Sequence, residues 1–119
     1  MTDADQHADL APFKLFETSP QSSSLILSDD HMIALSDVFA EHDHEGGGYD
    51  WDTVARTALR LQAPHLEGRV KFDPEAGMFC AYGPDQAALR ELGEVLVGAY
   101  RDRARLAELI AAADPGDWD

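Results

Sequence analysis

The chain has 119 residues, 45% of them apolar, with 9 Lys+Arg against 23 Asp+Glu, a size and composition that predict one folded domain. A formal charge of -14 at pH 7 repels phosphate backbones and anionic lipid, which argues against nucleic-acid and membrane partners. Cys80 is the single cysteine, so no internal disulfide forms. The chain also lacks an apolar window of ~18 residues and starts acidic where a signal peptide would be basic, so a cytoplasmic protein is expected.

The charge is uneven. Residues 1–52 carry twelve acids and one base, Lys14, a balance of -11, whereas residues 53–119 contribute only -3. Such a half-chain reads either as a solubilising surface or as a negative face for a basic partner.

Residues 1–12 are polar and charged, and are expected to form a mobile acidic tail ahead of a single domain at 13–113, with 114–119 as a C-terminal tail. Alternation at Phe13, Lys14, Leu15 and Glu17, a turn around Pro20, and Leu25-Ile26-Leu27 predict a hairpin. Ser28, Asp29 or Asp30 caps a helix expected over about 30–42, with Ile33, Leu35, Val38 and Phe39 on its apolar stripe. Gly46-Gly47-Gly48 stops it in a tight, exposed loop. Asp50 or Asp52 then starts a second helix over about 51–62, which Pro64 ends.

From Arg69 the period becomes two. Val70 and Phe72 face one way and Arg69, Lys71 and Asp73 the other, before the turn Asp73-Pro74-Glu75-Ala76-Gly77. Met78 to Tyr82 returns antiparallel, and its apolar run predicts a strand at the sheet centre buried on both faces. Gly83-Pro84-Asp85 opens a third helix, with Leu89, Leu92, Val95, Leu96, Ala99 and Tyr100 near helical spacing, and a fourth is expected over about 102–113. Paired strands and paired helices without βαβ alternation predict an α+β fold: an antiparallel sheet of about four strands with about four helices packed mainly on one face.

The densest polar cluster is Glu41-His42-Asp43-His44-Glu45, followed by the glycines, Tyr49, Asp50, Trp51 and Asp52. A His-x-His pair offers two imidazoles to a metal if the segment is extended, but on a helix the two point about 200° apart. A metal-dependent hydrolase using His42 and His44 is therefore the alternative reading, against a solvated helix end with no metal or cofactor. Cys80 sits in the most apolar strand, where burial raises a thiol pKa and leaves it inert. Ser22, Ser23 and Ser24 lack a nucleophile elbow and no phosphate loop follows any strand, so no enzyme is expected. Trp51 reads as a core residue, Tyr49 as an aromatic partner contact, and Trp118 as part of the loose C-terminal tail.

The run His42-Asp43-His44-Glu45-Gly46-Gly47-Gly48-Tyr49-Asp50-Trp51, preceded by Glu41, and the later Phe72-Asp73-Pro74-Glu75-Ala76-Gly77-Met78-Phe79 resemble the H-x-x-x-G-x-G-Y-x-W and F-D-P-E-x-G-x-F regions of family 51 of the immunity proteins of bacterial polymorphic-toxin systems. The likeness covers about residues 22–113, with Gly47 where a polar residue is usual, a departure that would loosen the loop. It implies a small α+β protein that binds and neutralises a toxin made by the same cell. It also marks His42, His44, Gly46, Gly48, Trp51, Phe72, Asp73, Pro74 and Gly77 as motif positions, structural or binding.

Charge complementarity then suits a cationic toxin. The expected contacts are Glu41, Asp43, Glu45, Asp50 and Asp52, with Tyr49 as apolar anchor. A competing reading has the motifs hold the loop while the exposed face of the third and fourth helices binds.

Overall fold

The computed structural model describes residues 10–113. The element order is β1 (Lys14–Ser19), β2 (Ser22–Ser28), α1 (Asp29–Ile33), α2 (Ser36–Ala40), α3 (Gly48–Gln62), a 3-10 turn (Pro64–Leu66), β3 (Lys71–Phe72), β4 (Met78–Gly83), α4 (Gln86–Tyr100) and α5 (Arg103–Ala112). The strands form one antiparallel sheet in the order β1-β2-β4-β3, the expected α+β fold.

Two local hairpins are joined by the long-range pairing of β2 with β4, which runs from Ser23 opposite Gly83 to Ser28 opposite Met78. Strand alternation decides what this sheet buries. Leu15, Leu25, Leu27, Phe79 and Ala81 share one face and are buried in the core with Val54, Ala58, Leu89 and Leu92 of α3 and α4. Lys14, Phe16, Ile26, Cys80 and Tyr82 turn the other way, and Phe16 is 40% exposed. The expectation that β4 is covered on both faces is therefore corrected. Its helix side is fully buried, whereas on the other side Cys80 is buried but Met78 and Tyr82 are only half-buried.

The first predicted helix is two. α1 ends at Ile33 and α2 begins at Ser36, because Leu35 leaves the helical region (φ -116°, ψ 12°) and the Ser36 hydroxyl donates to the Ile33 carbonyl at 2.9 Å. A short polar side chain that satisfies a backbone carbonyl locally competes with the continuing helix. The break turns Met32, Leu35, Val38 and Phe39 into the core and leaves Ile33, expected on that stripe, 65% exposed. Ser28 occupies the N-cap position without capping, since its hydroxyl donates to Asp30 Oδ1 at 2.8 Å. Asp85 and Asp102 do cap, accepting from Ala88 N–H and from Ala104 and Arg105 N–H.

Leu10 is 1% exposed and lies against Gly93, and Arg101 donates to the Ala11 carbonyl at 3.1 Å, so the end of the segment ahead of β1 is in contact with the fold. Residues 1–9 and 114–119, including Trp118, lie outside the described residues. β3 shrinks from the expected 69–73 to two paired residues. Among the described residues no helix is long and apolar enough to cross a membrane.

Candidate functional site

The site begins where α2 runs out. His42 and His44 N–H groups both donate to the Phe39 carbonyl, at 2.9 and 3.0 Å, which folds the Glu41–Glu45 segment back on the helix end, with Asp43 in the left-handed region at φ 66°. His42 Nδ1 donates to the Val38 carbonyl at 3.2 Å, which fixes the tautomer and commits that nitrogen to the scaffold. His44 lines the cleft described below. Among the described residues no three His, Cys, Asp or Glu side chains converge as metal ligands.

The glycines are not the exposed loop that three flexible residues predict. Gly46 and Gly48 are buried and Gly47 half-buried, and α3 starts at Gly48, three residues earlier than expected. The reason is close backbone approach. Gly48 N–H donates to the Ala76 carbonyl at 3.0 Å, and a Cβ at Gly48 would stand 1.8 Å from the Glu75 carbonyl oxygen and 2.4 Å from that of Met78. Only glycine fits there. Asp50 does not cap α3 by the usual route but reaches back, its carboxylate accepting the Gly46 N–H at 2.7 Å.

The two segments that carry the family resemblance thus meet at one seam. Glu75 and Met78 exchange backbone hydrogen bonds at 2.8 and 3.1 Å to close the turn, and Asp73 N–H donates to the Cys80 carbonyl at 3.0 Å. Phe72 packs on Phe79 with centroids 6.2 Å apart. Pro74 is half-buried in the turn, whereas Gly77 is exposed with open space around its α-carbon. Trp51, fully buried, anchors the start of α3 from within, against Phe13, Phe39 and Tyr100 at centroid distances of 6.0, 5.6 and 6.0 Å.

Beside the seam lies a cleft of about 210 Å³ lined by Asp43, His44, Glu45, Gly47, Tyr49, Asp50 and Ala76. Its three carboxylates and the 61% exposed Tyr49 ring form a negative mouth with an aromatic lip. Such a mouth attracts a cation and offers an apolar surface for the rest of a protein partner.

Of the expected contacts, Asp43, Glu45, Tyr49 and Asp50 come together here, and Glu41 is exposed outside the lining. Asp52 faces elsewhere. One of its oxygens pairs with Arg56 Nε at 2.8 Å and the other is buried without a partner among the described residues, and burial raises its pKa although Arg56 pulls the other way. Ala76 was not among the residues singled out by sequence. The signal was available in the small residue at the tip of a Pro/Gly turn, where another backbone approaches.

No curated protein and no solved structure matches the chain. The family model described as Immunity protein 51 matches residues 13–115, most of the sequence and all of the seam. The chain belongs to the immunity protein 51 family.

Proposed function

We propose that this immunity protein acts by stoichiometric binding to a cognate toxin, a cationic one, with the acidic mouth beside Tyr49 as the contact and no bond made or broken by its own side chains. The observation that carries the reading is the gathering of Asp43, Glu45 and Asp50 around an exposed tyrosine at the junction of both family segments. Charge there speeds encounter and selects the partner, while Tyr49 supplies a desolvated anchor that lengthens the complex. His42, Gly46, Gly48 and Trp51 hold the mouth in shape from behind, which divides the motif between scaffold and contact. A cytoplasmic site of action fits a protein that meets the toxin inside the producing cell.

The test is affinity for the toxin encoded beside this gene. Tyr49→Ala should weaken binding by about 2 kcal/mol or more, roughly thirtyfold, and Asp43→Lys with Glu45→Lys should slow association and flatten its salt dependence. Unchanged affinity in both variants removes the proposal. Hydrogen exchange locates the interface independently: protection gained at 41–50 supports this mouth, and protection gained only at 86–112 moves the contact to α4 and α5.

A further inference from the structure

The sheet has a second face. The core and its helices take one side, and the strand registers lay out the other in rows. Lys14, Ile26 and Cys80 stand opposite one another across β1, β2 and β4. Asp73 completes that row on the far edge: its N–H donates to the Cys80 carbonyl, and its charge is, after burial, the main cause that raises the Cys80 thiol. Phe16, Ser24, Tyr82 and Lys71 form the next row. Ser28, Met78 and Glu75 form a third, since Glu75 bridges Met78. Lys14, Phe16, Lys71, Asp73 and Glu75 are exposed, while Ile26, Met78 and Tyr82 are half-buried.

Charge sets this face apart. Lys14 and Lys71, the two lysines of the chain, offset Asp73 and Glu75, so the rows are neutral, and the remaining seven bases and twenty-one acids hold the whole of the -14. A second copy is repelled by that acidic remainder and least repelled here. The charges are also ordered. In the first row the base lies on the β1 edge and the acid on the β3 edge, about 14 Å apart at ~4.8 Å per strand, too far to pair within one chain. Among the described residues none of the four side chains is in a salt bridge.

A two-fold axis that runs along the strands between β2 and β4 turns this order into complementarity. It lays β1 of one copy over β3 of the other with the rows in step. Each Lys14 then meets Asp73 of the other copy, each Ile26 meets Cys80, and each Lys71 ammonium lies over a Phe16 ring. Aligned sheets pack ~10 Å apart and about 30° askew, an angle that the same axis bisects. An axis across the strands through the first row sets Lys14 on Lys14 and Asp73 on Asp73. Shifted between two rows, it carries the Met78 row off the other copy's sheet.

We propose that two copies of this chain associate face to face on the axis along the strands, through the outer side of the sheet. Four strands at ~4.8 Å and about five residues at ~3.4 Å make a patch of roughly 300 Å² in projection. A standard interface uses about 800 Å² per partner, so the dimer is weak and exchanges with monomer. None of its contacts lines the acidic mouth, and it stands independently of the toxin-binding reading.

Sedimentation velocity of the full chain at physiological salt, over about a hundredfold range of concentration, tests the pairing. The expected result is an average mass that climbs from monomer toward dimer. Lys14→Asp sets like charges together at two places across the axis and should weaken association about tenfold or more, as should Asp73→Lys. Lys14→Asp combined with Asp73→Lys should restore it, because the same pairs re-form with their signs exchanged. Both positions are exposed, so the reversals leave the core intact, which far-UV circular dichroism verifies. A chain that stays monomeric throughout overturns the proposal and leaves the face to residues 1–9 or to another protein. A dimer indifferent to Lys14→Asp, or one that the double reversal fails to restore, is built on another surface and overturns it as well.

Discussion

Gly48→Ala tests the seam on which the candidate site is built. The added Cβ would lie 1.8 Å from one carbonyl oxygen and 2.4 Å from another, both backbone, so no side-chain rotation relieves it. The 75–78 turn has to withdraw by more than an ångström, and that movement breaks the 3.0 Å bond from Gly48 N–H to the Ala76 carbonyl. Overpacking costs about 1–3 kcal/mol and a buried N–H left unpaired about 1–3 kcal/mol more, against a helix-propensity gain of at most about 1 kcal/mol that shrinks at the first helical position. The net expectation is a loss of about 2–4 kcal/mol, or a Tm lowered by roughly 10–20 °C for a domain of this size. Urea and thermal unfolding followed by far-UV circular dichroism measure it. Gly98→Ala is the matched comparison: Gly98 is exposed within α4 with open space around it, and should stabilise by about 0.5–1 kcal/mol. Should Gly48→Ala stay within about 0.5 kcal/mol of the parent while Gly98→Ala behaves as expected, the close approach and the argument built on it are wrong.

The other predictions concern acid, the lone thiol and the aromatic core. The Ala88 N–H, and then Arg69, hold the Asp85 carboxyl below the ordinary aspartate range, so its contribution is present above that range and fades as pH falls through the lowered value. Asp85→Asn should therefore make the acid limb of a stability-versus-pH curve shallower. Burial raises Asp52, whose ionisation opposes folding as pH rises through the carboxylate range, so Asp52→Asn should make that limb steeper. Equal slopes in both variants would contradict these assignments. Cys80 is buried, and burial first and the Asp73 charge second push its thiol up. A disulfide reagent at neutral pH should modify it only as fast as the protein opens, and equally fast reaction of native and denatured protein would count against this. Trp51→Ala should cost about 3–5 kcal/mol, and Trp51→Phe clearly less, because the indole Nε1 has no partner to lose among the described residues; denaturant unfolding of the two variants checks the order.

The strands were legible because alternation is local: Leu15 with Lys14 and Phe16, and Phe79 with Ala81, sort to the two faces as a period of two requires. The turn at Asp73–Gly77 and the start of α4 at Gly83-Pro84-Asp85 announce themselves through chemistry within a few residues, whereas the capping by Asp102 was not read and Ser28 does not cap. What escaped depends on contacts distant in sequence. The break at Leu35 follows from aiming Met32, Leu35 and Phe39 at one core, and Leu10 is a single apolar residue that lies against Gly93 on a distant element. The glycine run reads as flexible by composition and is held because another backbone leans on it. In the candidate site, the acids and Tyr49 could be picked out by their density, but Asp52 could not be separated from them, since its partner Arg56 lies one turn further along α3.

The seam between Gly48 and the 75–78 turn also dictates an order of events during synthesis. The acids of the mouth leave the ribosome well before Ala76, the residue that walls it, and the turn bearing Ala76 is positioned only once β4 has paired with the much earlier β2. A half-made chain therefore carries the negative charge without the cavity. A copy cut short of the turn would present the same acids without Ala76 to wall the cleft.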